Sequence, residues 1–380
     1  MFKIYLERCE EVKDMLKKEY WYRMLKLQGI GTTKKRELID YFGSPEEIFQ
    51  SSVEKLKQSP LKYCRNAERI IHQILNGRVE EQIHREFLEL ERKQIYFISY
   101  EDEEYPKKLK QLYDYPCGLF VKGRLPSEER ASVAIIGARN CSAYGKEMAL
   151  YFSEELAKAG VDVISGMARG IDGYAHQGAL AVNGFTYAVL GTGIDICYPR
   201  ENIELYRKME KQGGIISEFV PGEEALPFHF PMRNRIISGL SDGVLVIEAK
   251  EKSGSLITVD QALEQGKDIF VVPGRIGDRL SEGSNRLIKQ GGILVTEPVD
   301  ILNFYSEKIK FQYKEWKKIN NVLDSKQKIV YASLSLMPKH LDEILNDTGL
   351  IMTQVIQILT QLELQGYIKQ STKNYYMISR

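Results

Sequence analysis

From Ser132 onward the chain carries seven short runs of β-branched and aliphatic residues, separated by longer stretches with helical periodicity. They are 133-VAII-136, 161-VDVIS-165, 186-TYAVL-190, 214-GIIS-217, 243-GVLVI-247, 268-DIFVV-272 and 292-GILVT-296. Their spacing is close to the roughly 30 residues of a strand–helix–strand unit. Their hydrophobicity is continuous, as expected of strands covered on both faces of a parallel sheet. The intervening 144-YGKEMALYFSEELAKAG-160 fits a crossover helix that stops at Gly160. Residues 91–303 are therefore predicted to form a doubly wound α/β domain with a mainly parallel sheet.

A chain of 380 residues exceeds one ordinary core, so further domains are expected on either side. Residues 1–90 read as helical, with Leu, Ile, Tyr and Phe recurring at three-to-four spacing among Lys and Glu. Within them, 27-LQGIGTTKKREL-38 has the outline of a helix-hairpin-helix, whose turn would offer backbone N–H groups to a phosphate. A tight turn between packed helices explains the same residues, and one short glycine turn favours that plainer reading. Residues 304–323 mix aromatics with lysines, a composition that stacks on single strands but more often belongs to a linker. Residues 324–380 give three helical stretches followed by 367-YIKQSTKNYYMIS-379, the order of a winged helix-turn-helix.

Composition narrows the function. Hydrophobic residues at 43% and charged residues at 28% describe a soluble globular protein. Lys and Arg number 53 against 52 Asp and Glu, so any anion site must be local. The charged N-terminus has no signal-peptide core, and no run reaches the ~18 apolar residues of a membrane span. Five scattered cysteines without a CxxC pair point to reduced thiols in the cytoplasm. Neither they nor the five histidines have metal-ligand spacing, so no metal is expected.

In such a sheet, ligands bind beyond the carboxyl ends of the strands, where loops enter helices. Here those loops are 137-GARNCSAYG-145, 165-SGMARGID-172, 191-GTGIDICYPREN-202 and 250-KEKSGSLIT-258, with 233-RNR-235 just before the fifth run. Glycine permits close backbone approach, hydroxyls donate, and arginine supplies charge and paired donors. Five arginines in loops expected to converge, Arg139, Arg169, Arg200, Arg233 and Arg235, point to phosphate. A Walker A loop fails in spacing, and Gly191-Thr-Gly193-Ile-Asp-Ile196 lacks the third glycine of a dinucleotide fingerprint. A line of phosphates suits the spread of cations better than one pyrophosphate. Asp172, Asp195, Glu218 and Glu248 lie near these loops, with Asp172 expected to cap its helix and the others to hold arginines. His176, at helical spacing from Asp172, belongs to no nucleophile–base–acid set.

These motifs, together with 105-YPKKL-109, 216-ISEFVPG-222, 230-FPMRNRIISGLSDGVLVIEAKEKSGSLIT-258, 271-VVPG-274 and 282-EGSNRLIKQGG-292, resemble the DprA (Smf) family of bacterial DNA-processing proteins. The resemblance covers roughly Tyr105 to Val295, and its many motifs in one order make it specific. It implies an extended Rossmann-like domain between a SAM-like helical domain and a winged helix. It further implies a cytoplasmic homodimer that binds single-stranded DNA without sequence preference and loads RecA recombinase in natural transformation. A single-strand-binding protein is a further candidate partner, and no cofactor is implied. The family's DNA contacts carry over to Arg139, Arg200, Arg233 and Arg235, with Ser165, Gly166, Ser253 and Gly254 lining the pocket. With the loop residues Gly137, Arg169, Gly191, Asn234 and Ser255 they make up the expected phosphate site, and Phe228 and Phe230 are the expected base-stacking aromatics. Ala138 stands where many relatives have Ser, Arg200 where many have Lys, and Gly292 where many have Ala; none of these removes a cation.

The same superfamily includes Lonely Guy-type phosphoribohydrolases, so a nucleotide-binding or phosphoribohydrolase-like enzyme is the alternative. Their catalytic Glu falls on Thr258 here, with Asp260 two residues on, which argues for binding. In the winged helix, 350-LIMTQVIQILTQLELQ-365 has a single charged residue, Glu363, which favours a protein-contacting or dimer-stabilising module over DNA reading.

Overall fold

The run that begins at Ser132 becomes an interior strand of a nine-stranded sheet. In the computed structural model, which describes residues 17–76, 80–306, 325–334 and 338–378, the strands are β1 (Tyr96–Ser99), β2 (Gly118–Gly123), β3 (Ser132–Ile136), β4 (Asp162–Ser165), β5 (Thr186–Val189), β6 (Gly213–Ser217), β7 (Gly243–Val246), β8 (Asp268–Val271) and β9 (Ile293–Leu294). Their order is β1-β2-β6-β5-β4-β3-β7-β8-β9. From β6 to β9 every neighbouring pair is parallel, with Val133 opposite Val163 on one side and Gly243 on the other. Every residue of β3 through β7 is buried, which accounts for the unbroken apolar runs.

The order reverses at β3. From there β4, β5 and β6 extend one way and β7, β8 and β9 the other, so the loops after β3 and β7 part and leave a crevice. Two strands were not foreseen. β1 and β2 form an antiparallel pair that docks antiparallel on β6. β1 lies at the sheet's edge and has exposed and half-buried positions, so it lacks a continuous apolar signature.

The helices of residues 17–92 do not form a body of their own. The described residues up to Ser306 belong to one compact unit and those from Ser325 onward to a second. Trp21, Tyr22, Leu38, Ile48, Leu61 and Ile70 share a core with Phe97 of β1, Phe120 of β2 and Ile215 of β6. The Tyr22 ring meets Phe97 edge-on at 5.5 Å and Phe120 at 6.0 Å, so the boundary expected at residue 90 is bridged by aromatic packing. On the other face of the sheet, Ile136, Ile164, Val189, Ile236, Ile237 and Val246 form the second layer of core.

The second unit is a winged helix. Its described helices are Ser325–Ala332, Leu341–Thr348 and Met352–Leu364, beside a three-stranded sheet in the order β10 (Lys339–His340), β12 (Tyr375–Ile378), β11 (Ile368–Thr372). Val330, Ile344, Val355, Leu359, Leu362 and Ile368 fill its core. Of the linker expected at 304–323, residues 307–323 lie outside the described residues. Among the described residues, no helix is long and apolar enough to cross a membrane.

Candidate nucleic-acid interface

The crevice at the β3/β7 reversal holds a cavity of about 670 Å³. The loop after β3 contributes Gly137, Arg139 and Asn140. The loop after β7 contributes Lys250, Lys252, Ser253, Gly254 and Ser255. The third wall is Phe230, Arg233 and Asn234. Four cations line it, Arg139, Arg233, Lys250 and Lys252, against one carboxylate, Asp172. The helix Gly254–Glu264 opens onto it. Ser253 caps that helix by accepting from the Ser255 N–H at 3.4 Å, and the first turn carries no acid. An open N-terminus with hydroxyls and glycine is a favourable place for an anion.

The 233-RNR-235 segment is helical, which the sequence reading missed: it belongs to the helix His229–Leu240. Pro231 and Gly239 are poor helix formers and disguise it. Residues two apart on a helix point some 200° away from each other, and the two arginines part company accordingly. Arg233, only 4% exposed, donates from Nη1 to the carbonyls of Gly166 and Val189, each at 2.5 Å, at the carboxyl ends of β4 and β5. Its Nε donates to Asn234 Oδ1 at 3.1 Å. A Cβ on Gly166 would stand 2.4 Å from that guanidinium, so glycine is what lets the arginine lie across the strand end. Burial pushes Arg233 down to about 10, with Asp172 resisting and Arg139 assisting the shift. It remains a cation at neutral pH.

Arg235 does not reach the cavity. It is 3% exposed and pairs with Glu218 and, through Nε at 3.1 Å, with Asp114. Its anions are the protein's own. Three further arginine and aromatic expectations also fall elsewhere. Arg169 is exposed and pairs with Glu201, Arg200 is exposed at the start of a 3-10 turn, and Phe228 lines a different cavity. Of the five arginines expected to converge, the structure brings together Arg139 and Arg233. Ser165 is fully buried and donates to the Ile135 carbonyl at 2.6 Å, while Gly191 lies behind the Phe230 ring.

Phe230 is half-buried and flanked by cations. The guanidinium of Arg139 lies 5.3 Å from its ring centre and that of Arg233 5.9 Å, and Tyr198 adjoins it at 5.7 Å. Lys250, Lys252 and Tyr198 were overlooked as site residues. The lysines sit in 250-KEKSGSLIT-258, whose glycine and serines carry the stronger phosphate-loop signal.

The acids have structural duties. Asp172 Oδ2 accepts from the Gly166 N–H at 3.1 Å and ties the loop after β4 to its helix, while burial raises its pKa and Arg233 opposes the rise. Glu218 holds Arg235, as expected. Glu248 holds no arginine: it accepts from the Ser142 N–H at 2.9 Å and the Ser142 hydroxyl at 2.5 Å, bracing the start of the helix Ala143–Lys158. Asp195 accepts from the Gly222 N–H at 2.7 Å. His176 is fully buried, and its Nδ1 lies 2.7 Å from the Thr186 hydroxyl. Among the described residues, no group of His, Cys, Asp and Glu is arranged to hold a metal.

The fold and its cation-lined crevice define an α/β protein equipped to hold an anion, joined to a winged helix. Comparison with known proteins narrows this further. The family model for DNA recombination-mediator protein A matches residues 96–306, and that for the DprA winged helix domain matches residues 320–372. The chain belongs to the DNA recombination-mediator protein A (DprA/Smf) family. It is 49% identical over 214 residues to protein Smf of Escherichia coli, an alignment spanning 56% of this chain and 57% of that protein. Its structure resembles the DNA processing protein A of Streptococcus pneumoniae (TM-score 0.65, 35% identity, 77% of this chain and 98% of that one). It also resembles the Helicobacter pylori protein of the same name, which binds single-stranded DNA (TM-score 0.51, 29% identity, 57% and 97%).

Proposed function

We propose that this protein binds single-stranded DNA without sequence preference, holding backbone phosphates in the crevice, and passes the strand to RecA recombinase. The observation that carries this reading is the set of four cations around an open helix N-terminus, with Phe230 exposing part of its ring among them. Arg139 and the two lysines meet phosphates from the rim, while Arg233 supplies a fixed charge at the floor. Phe230 offers a base a stacking surface, and base–aromatic stacking is indifferent to sequence. The Helicobacter pylori relative's single-stranded DNA binding supports the same assignment. In this reading the protein works in the cytoplasm as a homodimer.

The test is fluorescence titration of labelled oligo-dT against salt, with a duplex and a nucleoside monophosphate as competitors. Four phosphate contacts give a log–log salt slope of about −2.8. Arg139→Ala with Lys250→Ala and Lys252→Ala, all exposed positions, should weaken binding at least about a hundredfold. Weak strand binding that the monophosphate displaces would defeat the proposal.

A further inference from the structure

The loops after β3 and β7 form two lips of the crevice, and they are held in different ways. The β7 lip stands on a fixed base. The Ile247 N–H donates to the Ile136 carbonyl at 3.1 Å, and the Gly283 N–H donates to the Ala249 carbonyl at 2.8 Å. A Cβ on Gly283 would lie 2.4 Å from the Lys250 carbonyl oxygen, so the start of the helix Glu282–Lys289 packs directly against the backbone that carries Lys250. Main-chain contacts alone set this lip.

The β3 lip is held at two points. At the first, the Ile171 N–H donates to the Ala138 carbonyl at 3.2 Å, and Gly170 packs against the Arg139 carbonyl. At the second, Ser142 donates both its N–H and its hydroxyl to the Glu248 carboxylate, at 2.9 and 2.5 Å. Asn140 and Cys141 complete the span between these anchors. The Arg139 side chain is exposed and rests over the Phe230 ring, so its aim depends on that ring and on the backbone beneath it.

Glu248 is suited to this hold. It is 2% exposed, lies just past the end of β7 and reaches the first turn of the helix Ala143–Lys158. There the Ser142 hydroxyl oxygen also accepts from the Gly145 N–H at 3.0 Å. A carboxylate offers acceptors to both Ser142 donors at once, and a helix N-terminus favours its charge. A Cβ on Gly145 would stand 2.2 Å from Glu248 Oε2, so glycine is what leaves room for the carboxylate.

We propose that Glu248 is a positioning residue for strand binding, clipping the β3 lip to the end of β7 and thereby setting where Arg139 meets a phosphate. This role rests on the single-strand reading above. Because Ile136 and Gly283 fix the backbone around Lys250, loss of the clip displaces Arg139 and leaves the lysine lip in place. Opening the clip thus costs the Arg139 contact and spares the contact of Lys250.

The experiment is a pair of double-mutant cycles read by oligo-dT titration at pH 7.5 and fixed salt, with thermal melting to confirm folding. Arg139→Ala should weaken binding about thirtyfold, the worth of one charge-assisted contact. Glu248→Ala should weaken it about tenfold in wild type and in a Lys250→Ala background, but about twofold at most in an Arg139→Ala background. Glu248→Gln keeps an acceptor for the Ser142 N–H and should bind within about threefold of wild type. Gly145→Ala drives the carboxylate away from the helix side and should repeat the pattern of Glu248→Ala, which it replaces if that variant does not fold. No loss of affinity, or an equal loss in the Arg139→Ala and Lys250→Ala backgrounds, overturns the positioning role. If wild type does not bind the strand, or Arg139→Ala costs nothing, the single-strand reading itself fails and this role falls with it.

Discussion

The two units of this chain invert what their folds suggest. The winged helix is the module usually associated with DNA, yet its helix Met352–Leu364 contains no Lys or Arg, and Met352 and Ile356 stand exposed on it at 52% and 42%. The doubly wound sheet is a fold of many uses, yet its crevice gathers four cations and an open helix N-terminus. Fold says where a site can be built, and the placement of charge says what the site can hold. Affinity for a polyanion should therefore reside in the first unit.

The largest expected effect is on binding. Arg139→Ala combined with Arg233→Ala should lower oligo-dT affinity by about a thousandfold, since two charge-assisted contacts are lost. Thermal melting accompanies this measurement, because Arg233 also bridges Gly166 and Val189. Arg235→Met sharpens the contrast between charge at the site and charge beneath it. Removing this arginine leaves Glu218 buried without its partner, and should cost about 3 kcal/mol in urea unfolding. Oligo-dT affinity of the folded variant should stay within about twofold. A large loss of affinity there would return Arg235 to the binding site.

This divergence also marks how far the sequence could be read. The apolar runs of β3 to β8 were legible because each buried strand needs side chains that tolerate burial on both faces, whereas β9 is a short, half-exposed edge. β1 was not legible, because a half-exposed antiparallel edge leaves a weaker pattern, and β2, buried at its first four positions, is a short run bounded by Gly118 and Gly123 outside the repeating strand–helix series. Arg139 and the serine-rich loop were legible, since strand-to-helix loops must come together at the sheet's carboxyl edge. The separate fates of Arg233 and Arg235 were hidden by a helix whose Pro231 and Gly239 made it look like a loop. Once the helix is known, its geometry assigns each arginine to a different face. Which buried partners await Arg235, Glu218 and Asp114, depends on contacts between distant segments and leaves no local trace.

A smaller effect tests the packing behind the crevice. Burial pushes His176 down to about 3, so the folded protein keeps it neutral while the unfolded chain takes up a proton near pH 6.5. The unfolded state thus binds more protons between pH 6.5 and about 3, and the neutral histidine's stabilising contribution falls as pH drops through that window. Asp162, raised to about 6 by burial against the pull of Arg130, works in the opposite direction between about 6 and 3.8. The wild-type profile alone mixes the two. The difference in unfolding free energy between wild type and His176→Gln isolates the histidine, and should shrink by about 2 kcal/mol between pH 7.5 and 5. A difference that does not change with pH would mean that His176 is solvated or already charged in the folded state.

The smallest effect bears most directly on the contrast between the units. Deleting residues 320–380 removes the winged helix without touching any residue that lines the crevice. Strand affinity depends on the number of phosphates neutralised, and a recognition helix whose one charge is Glu363 neutralises none. Lys369 and Lys373, in the hairpin, are among the cations by which the winged helix can contribute, and Lys373 sits in the turn between β11 and β12. The deletion should thus lower oligo-dT affinity by about twofold at most and leave the salt slope near −2.8. A drop of the slope by about one or more would place the hairpin lysines on the strand, and the division of labour between the two units would have to be redrawn.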